Sequence, residues 1–537
     1  MVGVRVIAES ESFSDGEQHV LSVLPNRMLV TESMTMNING PQTKEFVFDK
    51  FVNNKSKTLS DYRLTLEYAG NPAWYAVQAL PTLSNPTNEN AVNWFASYYV
   101  NTLGASIVQQ YPKVGNMIKA WKQQGGDKET LVSKLQKNEE LKSVLLEETP
   151  WVLDAKDETE QMNRLSLLFD LNNTNMQTSQ AIAKLKEMQN GDGGWSWYKG
   201  MYSSRSMTQY ILYGFTQLIN LGAVQYPSDV KVMQMDALKF IDSQIRKDFE
   251  NLKKSKDWEK TEYVSTNQLE YLYVRSGYRD IPIDQATRAA ERFYTDVAEK
   301  NWTRLSLYER SLLVAVSQKN GNKEIASKIM KSIREHATVN EEMGMFWANN
   351  TSHVFMSQSA VAVHTFLMQA FKETNAPQSE MDQLKQWLLK QKQTQVWEST
   401  HATIDAIYAL LSTGSDWLVS SGDSKIIIGK QTVEPQNKEL GTGYIKEAWA
   451  TSQISKDMGK VQIQKPDNGP AWGALYWQYY EDLDKITSQK GELGVDKKLF
   501  VEKSTAQGKS LFALTESNPL KVGHKVTVRL IVRACSF

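Results

Sequence analysis

Covalent chemistry at a side chain needs a nucleophile or an acid–base pair held by its neighbours, and this 537-residue chain is poor in both. It has one cysteine, Cys535, and six histidines: His19, His336, His353, His364, His401 and His524. A single cysteine makes no intramolecular disulfide and no cysteine-rich zinc site. The histidines show no His-x-x-x-His spacing and no glutamate-flanked pairing. A histidine on an apolar helix, such as His364 or His401, reads as a hydrogen-bonded packing residue. DLNNTN at 170–175 begins like a calcium loop, but it lacks the sixth-position glycine and has Ala181 where a bidentate glutamate belongs. There is no Gly-x-x-x-x-Gly-Lys-Ser/Thr loop to cradle a phosphate. The residue types call for no metal and no cofactor.

The elements that would position any such chemistry fall into a β, α, β order. Lysine plus arginine equals aspartate plus glutamate, 61 each, so no global field recruits nucleic acid. No apolar run approaches the roughly 20 residues that span a bilayer. The N-terminal MVGVRVIAESESF lacks the basic and apolar regions of a signal peptide. Tyr62, Leu64, Leu66 and Tyr68 alternate with polar residues, as in a half-buried strand, and Val2, Val4, Val6 and Ala8 do the same. From Asn71 the period changes. Val92, Phe95 and Tyr99, then Ile211, Phe215, Leu218 and Ile219, then Val363, Phe366, Leu367 and Ala370, then Ile404, Ile407, Tyr408 and Leu411 each form an amphipathic stripe. Loops such as KQQGGDK and NGDGG punctuate the block, which runs to about Trp417. Strand composition returns at Ile426 to Ile428, at Val461 with Ile463, in AWGALYWQYY, and where Val526, Val528, Leu530 and Val532 alternate. That strand runs to RACSF in mid-pattern, the expectation being a domain cut short.

The helical block repeats weakly. Trp195 precedes Ser203 and Ser204, Trp302 precedes Ser306, Trp347 precedes Ser357, and Trp397 precedes Ser399, each pair followed by a helix. This predicts a loop tryptophan stapling each helix pair and a serine capping the next helix. Helix pairs of this size stack into a solenoid or close into a ring, and the wide loops favour the ring, an α/α toroid. Toroids host several enzyme classes. QNGDGGW at 189–195 looks like the glutamine–tryptophan motif of triterpene cyclases, but no Asp-x-Asp-Asp acid is present to start a cation cascade. No carboxylate pair stands out for a toroid glycosidase. The expectation is a protein that is not an enzyme.

Four stretches, in order, resemble the bacterial alpha-2-macroglobulin family, and its Bacteroides-type branch in particular. NPAWYAVQALPTL resembles the lead into the family's thioester motif, and FASYYVNTLG resembles the helix after it. QNGDGGWSWYKG and KKLFVEKSTAQGKSLFALTESNPLKVGHKVTVRL resemble later segments. The resemblance implies a multidomain α and β chain: an α/α-toroid thioester domain at 71–417, inserted in a CUB-like β-sandwich made of 1–70 and 418–485. Residues 486–537 would be an incomplete macroglobulin-type β domain. It also implies the function of an endopeptidase inhibitor of the periplasm or cell envelope, with proteases as partners.

In that family a Cys-x-Glu-Gln motif builds an internal thioester, useful because thiolate leaves far more readily than an amide nitrogen. Aligned from the two flanks, its cysteine falls on Asn90, its glutamate on Val92 and its glutamine on Asn93. Asn90 has no thiol and Asn93 is one methylene short of glutamine. The expectation is therefore protease trapping by enclosure or binding, without acylation. A peptide- or protein-binding scaffold is the alternative, with Trp74, Tyr75, Trp94, Phe95, Tyr98 and Tyr99 lining its surface or serving as core. A toroid glycosidase or terpene-cyclase-like enzyme comes third.

Overall fold

The computed structural model describes residues 2–21, 26–86, 88–116, 166–223, 228–341, 343–348, 350, 353–355, 357–391, 397, 399–414, 418, 420, 423–434, 443–483, 485–486, 493–505, 508–515, 517–521 and 523–534. Cys535, Trp417 and the KQQGGDK loop lie outside the described residues. The chain divides into two compact groups, 31–55 with 61–478, and 1–30 with 56–60 and 479–537.

The chain opens with β1 (Val2–Ser10), β2 (Phe13–Leu21), β3 (Arg27–Asn39), β4 (Gln42–Val47), α1 (Asp49–Val52) and β5 (Ser60–Ala69). The helical block holds α2 (Trp74–Ala79), α3 (Pro81–Ser84), α4 (Ala91–Gln110), α5 (Leu171–Met188), α6 (Arg205–Asn220), α7 (Ser228–Leu252) and α8 (Thr266–Ser276). It continues with α9 (Gln285–Lys300), α10 (Leu307–Asn320), α11 (Lys323–Glu335), α12 (Ala360–Glu373), α13 (Gln378–Gln391) and α14 (Thr400–Ser412). Two short hairpins sit before α12: β6 (Thr338–Asn340) with β7 (Gly344–Phe346), and β8 (His353–Val354) with β9 (Ser357–Gln358). Strands resume at β10 (Lys425–Ile428), β11 (Gln431–Thr432), β12 (Ile445–Ala450), β13 (Lys460–Lys465) and β14 (Pro470–Asp482). The last are β15 (Leu493–Thr505), β16 (Gly508–Ala513) and β17 (Lys525–Ala534).

Strands from before and after the helical block share two four-stranded sheets, ordered β12-β5-β14-β3 and β11-β10-β13-β4. The helices are thus an insertion between strands of one β unit. The hairpin β1-β2 pairs only with itself among the described residues, in register from Val2↔Leu21 to Ser10↔Phe13. The expectation that all of 1–70 is one half of the sandwich therefore differs from the pairing: β3 to β5 share those sheets, and the hairpin falls in the other compact group. That group also contains the three-stranded antiparallel sheet β16-β15-β17.

The block is a closed α/α toroid. Six inner helices pack in a ring, α4 on α6, α6 on α8, α8 on α10, α10 on α12, α12 on α14, and α14 back on α4. Outer helices back them: α5 on α4, α7 on α6, α9 on α8, α11 on α10 and α13 on α12. An inner helix is surrounded by other helices, so it is buried on nearly every face, as Val361 to Phe371 of α12 are.

Each inner helix starts at a side-chain cap. The caps are Asn90, Ser204, Ser265, Ser306, Ser359 and Ser399, each accepting the backbone N–H three residues on. The cap before α12 is Ser359, because Ser357 is taken up in strand β9. The tryptophan staples recur as well. The indole N–H groups of Trp195, Trp347 and Trp397 donate to Leu185, Ile333 and Leu388, each a carbonyl near the C-terminus of the preceding outer helix. Trp302 instead lies half-buried under the Arg310 guanidinium. First turns of neighbouring inner helices touch each other: Ser206 to Asn267 at 3.0 Å, Thr266 to Glu309 at 2.7 Å and Thr400 to Asn93 at 3.4 Å, so α6, α8 and α10 begin at one end of the ring, and α14 begins beside α4.

Candidate functional site

That end holds the stretch from Asn88 to Asn93. The chain enters it from α3 in extended conformation, with Asn90 at φ −107° and ψ 163°. The Asn90 side-chain oxygen accepts the Asn93 N–H at 2.9 Å, one of the four N–H groups a helix start leaves unpaired. Asn93 donates its amide to the Asn88 carbonyl at 3.1 Å and accepts weakly from the Thr400 hydroxyl. The Ala91 N–H donates to the Trp197 carbonyl at 3.1 Å, and the Tyr198 hydroxyl reaches the Asn88 side chain at 3.3 Å. Val92 points inward at 2 % exposure. The three aligned positions are thus brought together, two as a polar cap and one as core.

The 189–198 loop that borders this stretch spends its polar groups on its own turn. Asp192 accepts the Gly194 N–H at 3.0 Å and the Ser203 hydroxyl at 2.6 Å, while Gln189 donates to the Gly193 and Met233 carbonyls. Gly193 sits at φ +89°, and a Cβ there would come within 2.2 Å of the Asp236 carbonyl oxygen. The sequence similarity to a cyclase motif reflects this glycine turn and the Trp195 staple. Asp170 likewise caps α5, accepting from Asn172 and Asn173, instead of holding an ion.

The six aromatics divide differently from an exposed binding face. Trp74, Trp94, Phe95, Tyr98 and Tyr99 are all within 4 % exposure and belong to the toroid core. Phe95 alone meets Tyr98, Tyr99, Tyr210 and Phe215 at ring separations of 5.2–6.3 Å, mostly edge-on, as aromatic quadrupoles prefer. The Tyr75 side chain lies outside the described residues. Exposed aromatic surface at this end comes instead from the loop, where Tyr202 is 98 % exposed with Tyr198 and Met201 nearby in sequence.

Two carboxylates escaped the sequence reading. Glu270 on α8 is buried; it accepts the Tyr308 hydroxyl at 3.1 Å and the Phe355 N–H at 2.6 Å. Phe355 adopts φ +51°, and its ring lies on Tyr210, Tyr213 and Phe366. Asp405 on α14 is buried at 1 % and takes one hydrogen bond, from the Gln217 amide at 2.9 Å. Burial raises both carboxyls to about 7. His401, edge-on to Tyr210 at a ring separation of 4.4 Å, is held down to about 4 by burial, and His364, bonded to the Leu384 carbonyl at 3.0 Å, to about 3 for the same reason. Each acid lay in an apolar run, Leu269–Glu270–Tyr271 and Ile404–Asp405–Ala406. A lone carboxylate at a core position was the signal that could have found them. Both are 1 % exposed, Glu270 bonded to Phe355 and Tyr308 and Asp405 set among tyrosines of the inner helices. Among the described residues no group of three metal-binding side chains occurs, and no helix is long and apolar enough to cross a membrane.

No family model and no curated protein matches the chain. Solved structures do. The chain is similar to native Escherichia coli alpha-2-macroglobulin spanning domain MG7 to the C-terminus, with 12% identity and a TM-score of 0.40, over 97% of this chain and 66% of that one. It is similar to Salmonella alpha-2-macroglobulin reacted with methylamine, with 13% identity and a TM-score of 0.38, over 99% and 29%. A third is E. coli alpha-2-macroglobulin activated by porcine elastase, with 13% identity and a TM-score of 0.43, over 97% and 38%. These are bacterial alpha-2-macroglobulins. The chain spans less than two thirds of the length of each.

Proposed function

We propose that this chain is the toroid-bearing region of an alpha-2-macroglobulin-like endopeptidase inhibitor that works without an acyl bond. It would hold a protease by enclosure or binding, in the periplasm or cell envelope. The observation that carries the absence of acyl chemistry is the cap. At the positions where the family resemblance puts a thiol and a glutamine, Asn90 and Asn93 bond to each other and to Asn88. A carboxamide has no thiolate to expel, so no amine or hydroxyl can displace it at a useful rate. Methylamine treatment of the native protein followed by intact-mass measurement tests this, with unchanged mass expected and a single methylamine adduct overturning it. Trapping is tested with the product of the complete reading frame. A protease mixed with it should lose activity on a large protein substrate and keep it on a small peptide, and equal digestion of both refutes trapping.

A second reading, a protein-binding scaffold, is supported by the exposed Tyr198 beside Asn88, followed in the same loop by the exposed Met201 and Tyr202. It predicts that Tyr202→Ser weakens partner capture while leaving thermal stability unchanged.

A further inference from the structure

The carboxyl of Asp405 faces an incomplete set of partners. The Gln217 amide N–H donates to Oδ1 at 2.9 Å, which leaves Asp405 Oδ2 and Gln217 Oε1 buried and without a hydrogen-bond partner. Each member of this hydrogen-bonded carboxylate–carboxamide pair therefore keeps one buried oxygen that lacks a donor. The titratable side chains facing Asp405 are all neutral. They are Tyr99 from α4, Tyr210 and Tyr213 from α6, Tyr273 from α8 and Tyr308 from α10, with Tyr408 on its own helix, where His401 lies one turn earlier and is held neutral by burial. No described titratable side chain of α2 or α12 interacts with it, and no cation compensates its charge. A bare carboxylate in such surroundings costs several kcal/mol, whereas a carboxylic acid supplies the missing donor.

We propose that Asp405 is a buried proton-binding site. The neutral acid donates through Oδ2 to Gln217 Oε1 while accepting at Oδ1 from Gln217 Nε2, so acid and amide close a two-bond ring across the seam of α6 and α14. Loss of the proton to bulk water breaks one of the two bonds and sets a carboxylate oxygen against a carbonyl oxygen. The seam then rests on the remaining Gln217 bond and the Asn220–Tyr408 bond at 3.0 Å. Because the first turn of α14 carries Thr400, which meets Asn93, alkaline loosening of α14 reaches the capped end of α4. This inference concerns the ring itself and does not rest on the inhibitor reading.

Infrared difference spectroscopy of the whole chain between pH 6 and pH 9 reads the proton directly. The wild type should show the carbonyl stretch of a protonated carboxylic acid at pH 6 and lose it by pH 9. Asp405→Asn keeps the ring geometry, an amide facing an amide, and should lack that component while Glu270 contributes equally to both proteins. Identical spectra for wild type and Asp405→Asn at pH 6 overturn the proposal. Gln217→Leu removes the acceptor and should move the same band to higher frequency, and an unmoved band overturns the ring. Hydrogen exchange of residues 400–412, corrected for intrinsic base catalysis, should speed up by as much as about tenfold per pH unit above neutrality in wild type. It should stay flat in Asp405→Asn, and equal behaviour of the two overturns the coupling.

Discussion

Lys446→Met isolates the contact that sews the β unit across the helical insertion. Lys446 on β12 lies directly opposite Glu67 on β5, one strand following the insertion and the other preceding it. The ion pair measures 3.0 Å, with the two side chains 10 % and 2 % exposed. At that distance and a protein dielectric of about 20, the attraction is about 5 kcal/mol, which offsets part of the desolvation of the two ions. Burial raises the Glu67 carboxyl above its ordinary value, and Lys446 opposes that rise. Methionine keeps the apolar stem but leaves a buried carboxylate facing no cation, a loss of about 3–5 kcal/mol at alkaline pH. Glu67 escapes that loss only by taking a proton. Its folded-state pKa is then raised further, so its stability is present at low pH and lost as pH rises through that value. The gap between wild type and variant should be small below the already raised wild-type value of Glu67 and widen by about 1.4 kcal/mol per pH unit above it before levelling. Fluorescence from 15 tryptophans cannot isolate this unit, and a chain with two compact groups need not unfold in one step. Hydrogen exchange of residues 60–69 and 445–450 at pH 5.5, 7 and 8.5 can. Glu67→Gln added to Lys446→Met should recover stability to within about 1 kcal/mol of wild type. A pH-independent penalty, or one below about 1 kcal/mol at pH 8.5, refutes the view that Lys446 holds Glu67 as a buried anion.

Asn90→Ala should cost about 1 kcal/mol through the lost cap, read as faster exchange of the Asn93 amide, while Asn90→Ser and Asn90→Asp keep protection. Gly193→Ala should cost about 3 kcal/mol or more, since it forces a side chain into a left-handed backbone 2.2 Å from Asp236. Gly191→Ala, with open space around it and no positive φ, should shift the melting temperature hardly at all. His364 gives an acid limb. Its folded-state value, about 3 against an ordinary 6.5, means its stabilising share is complete above pH 6.5. That share falls by about 1.4 kcal/mol per pH unit on the way down. His364→Gln should flatten the limb, measured by urea unfolding from pH 7 to pH 4.

The alternation in β5 was legible, but only half of its burial was. Leu64, Leu66 and Tyr68 announce one apolar face, and every residue from Leu64 to Ala69 is buried. Thr65 and Glu67 occupy the face that alternation assigns to solvent. Glu67 survives there because Lys446 stands opposite, a neighbour that arrives only after the whole helical block has been threaded through. The helical stripes have the same limit. Val363, Phe366, Leu367 and Ala370 mark an amphipathic face, yet α12 is an inner helix, so His364, Thr365 and Gln369 on its polar side are buried too. A period reveals that a helix has a core face, whereas a ring of outer helices decides what becomes of the other one.

The candidate site was legible to the extent that it is local. An N-cap is decided within four residues, and Asn90 followed by Ala-Val-Asn is enough to start a helix. The proposed absence of acyl chemistry rests on the resemblance alone, because a missing thiol is visible solely against a motif that contains one. The Asp405–Gln217 pair lay beyond reach for the opposite reason. Its two members are 188 residues apart, and each alone looks like a lapse in an apolar stripe. Closing the ring turns two lapses into one hydrogen-bonded pair. The same closure that buries the polar lapses also seals the toroid's interior. In the scaffold reading proposed above, a partner meets the toroid on its rim, where the loop carrying Tyr198 and Tyr202 runs beside the asparagine cap. Binding there asks nothing of Asn90 except that it keep α4 in place, so a change that abolishes partner capture at Tyr202 and one that frays the cap at Asn90 should be separable in the same assay.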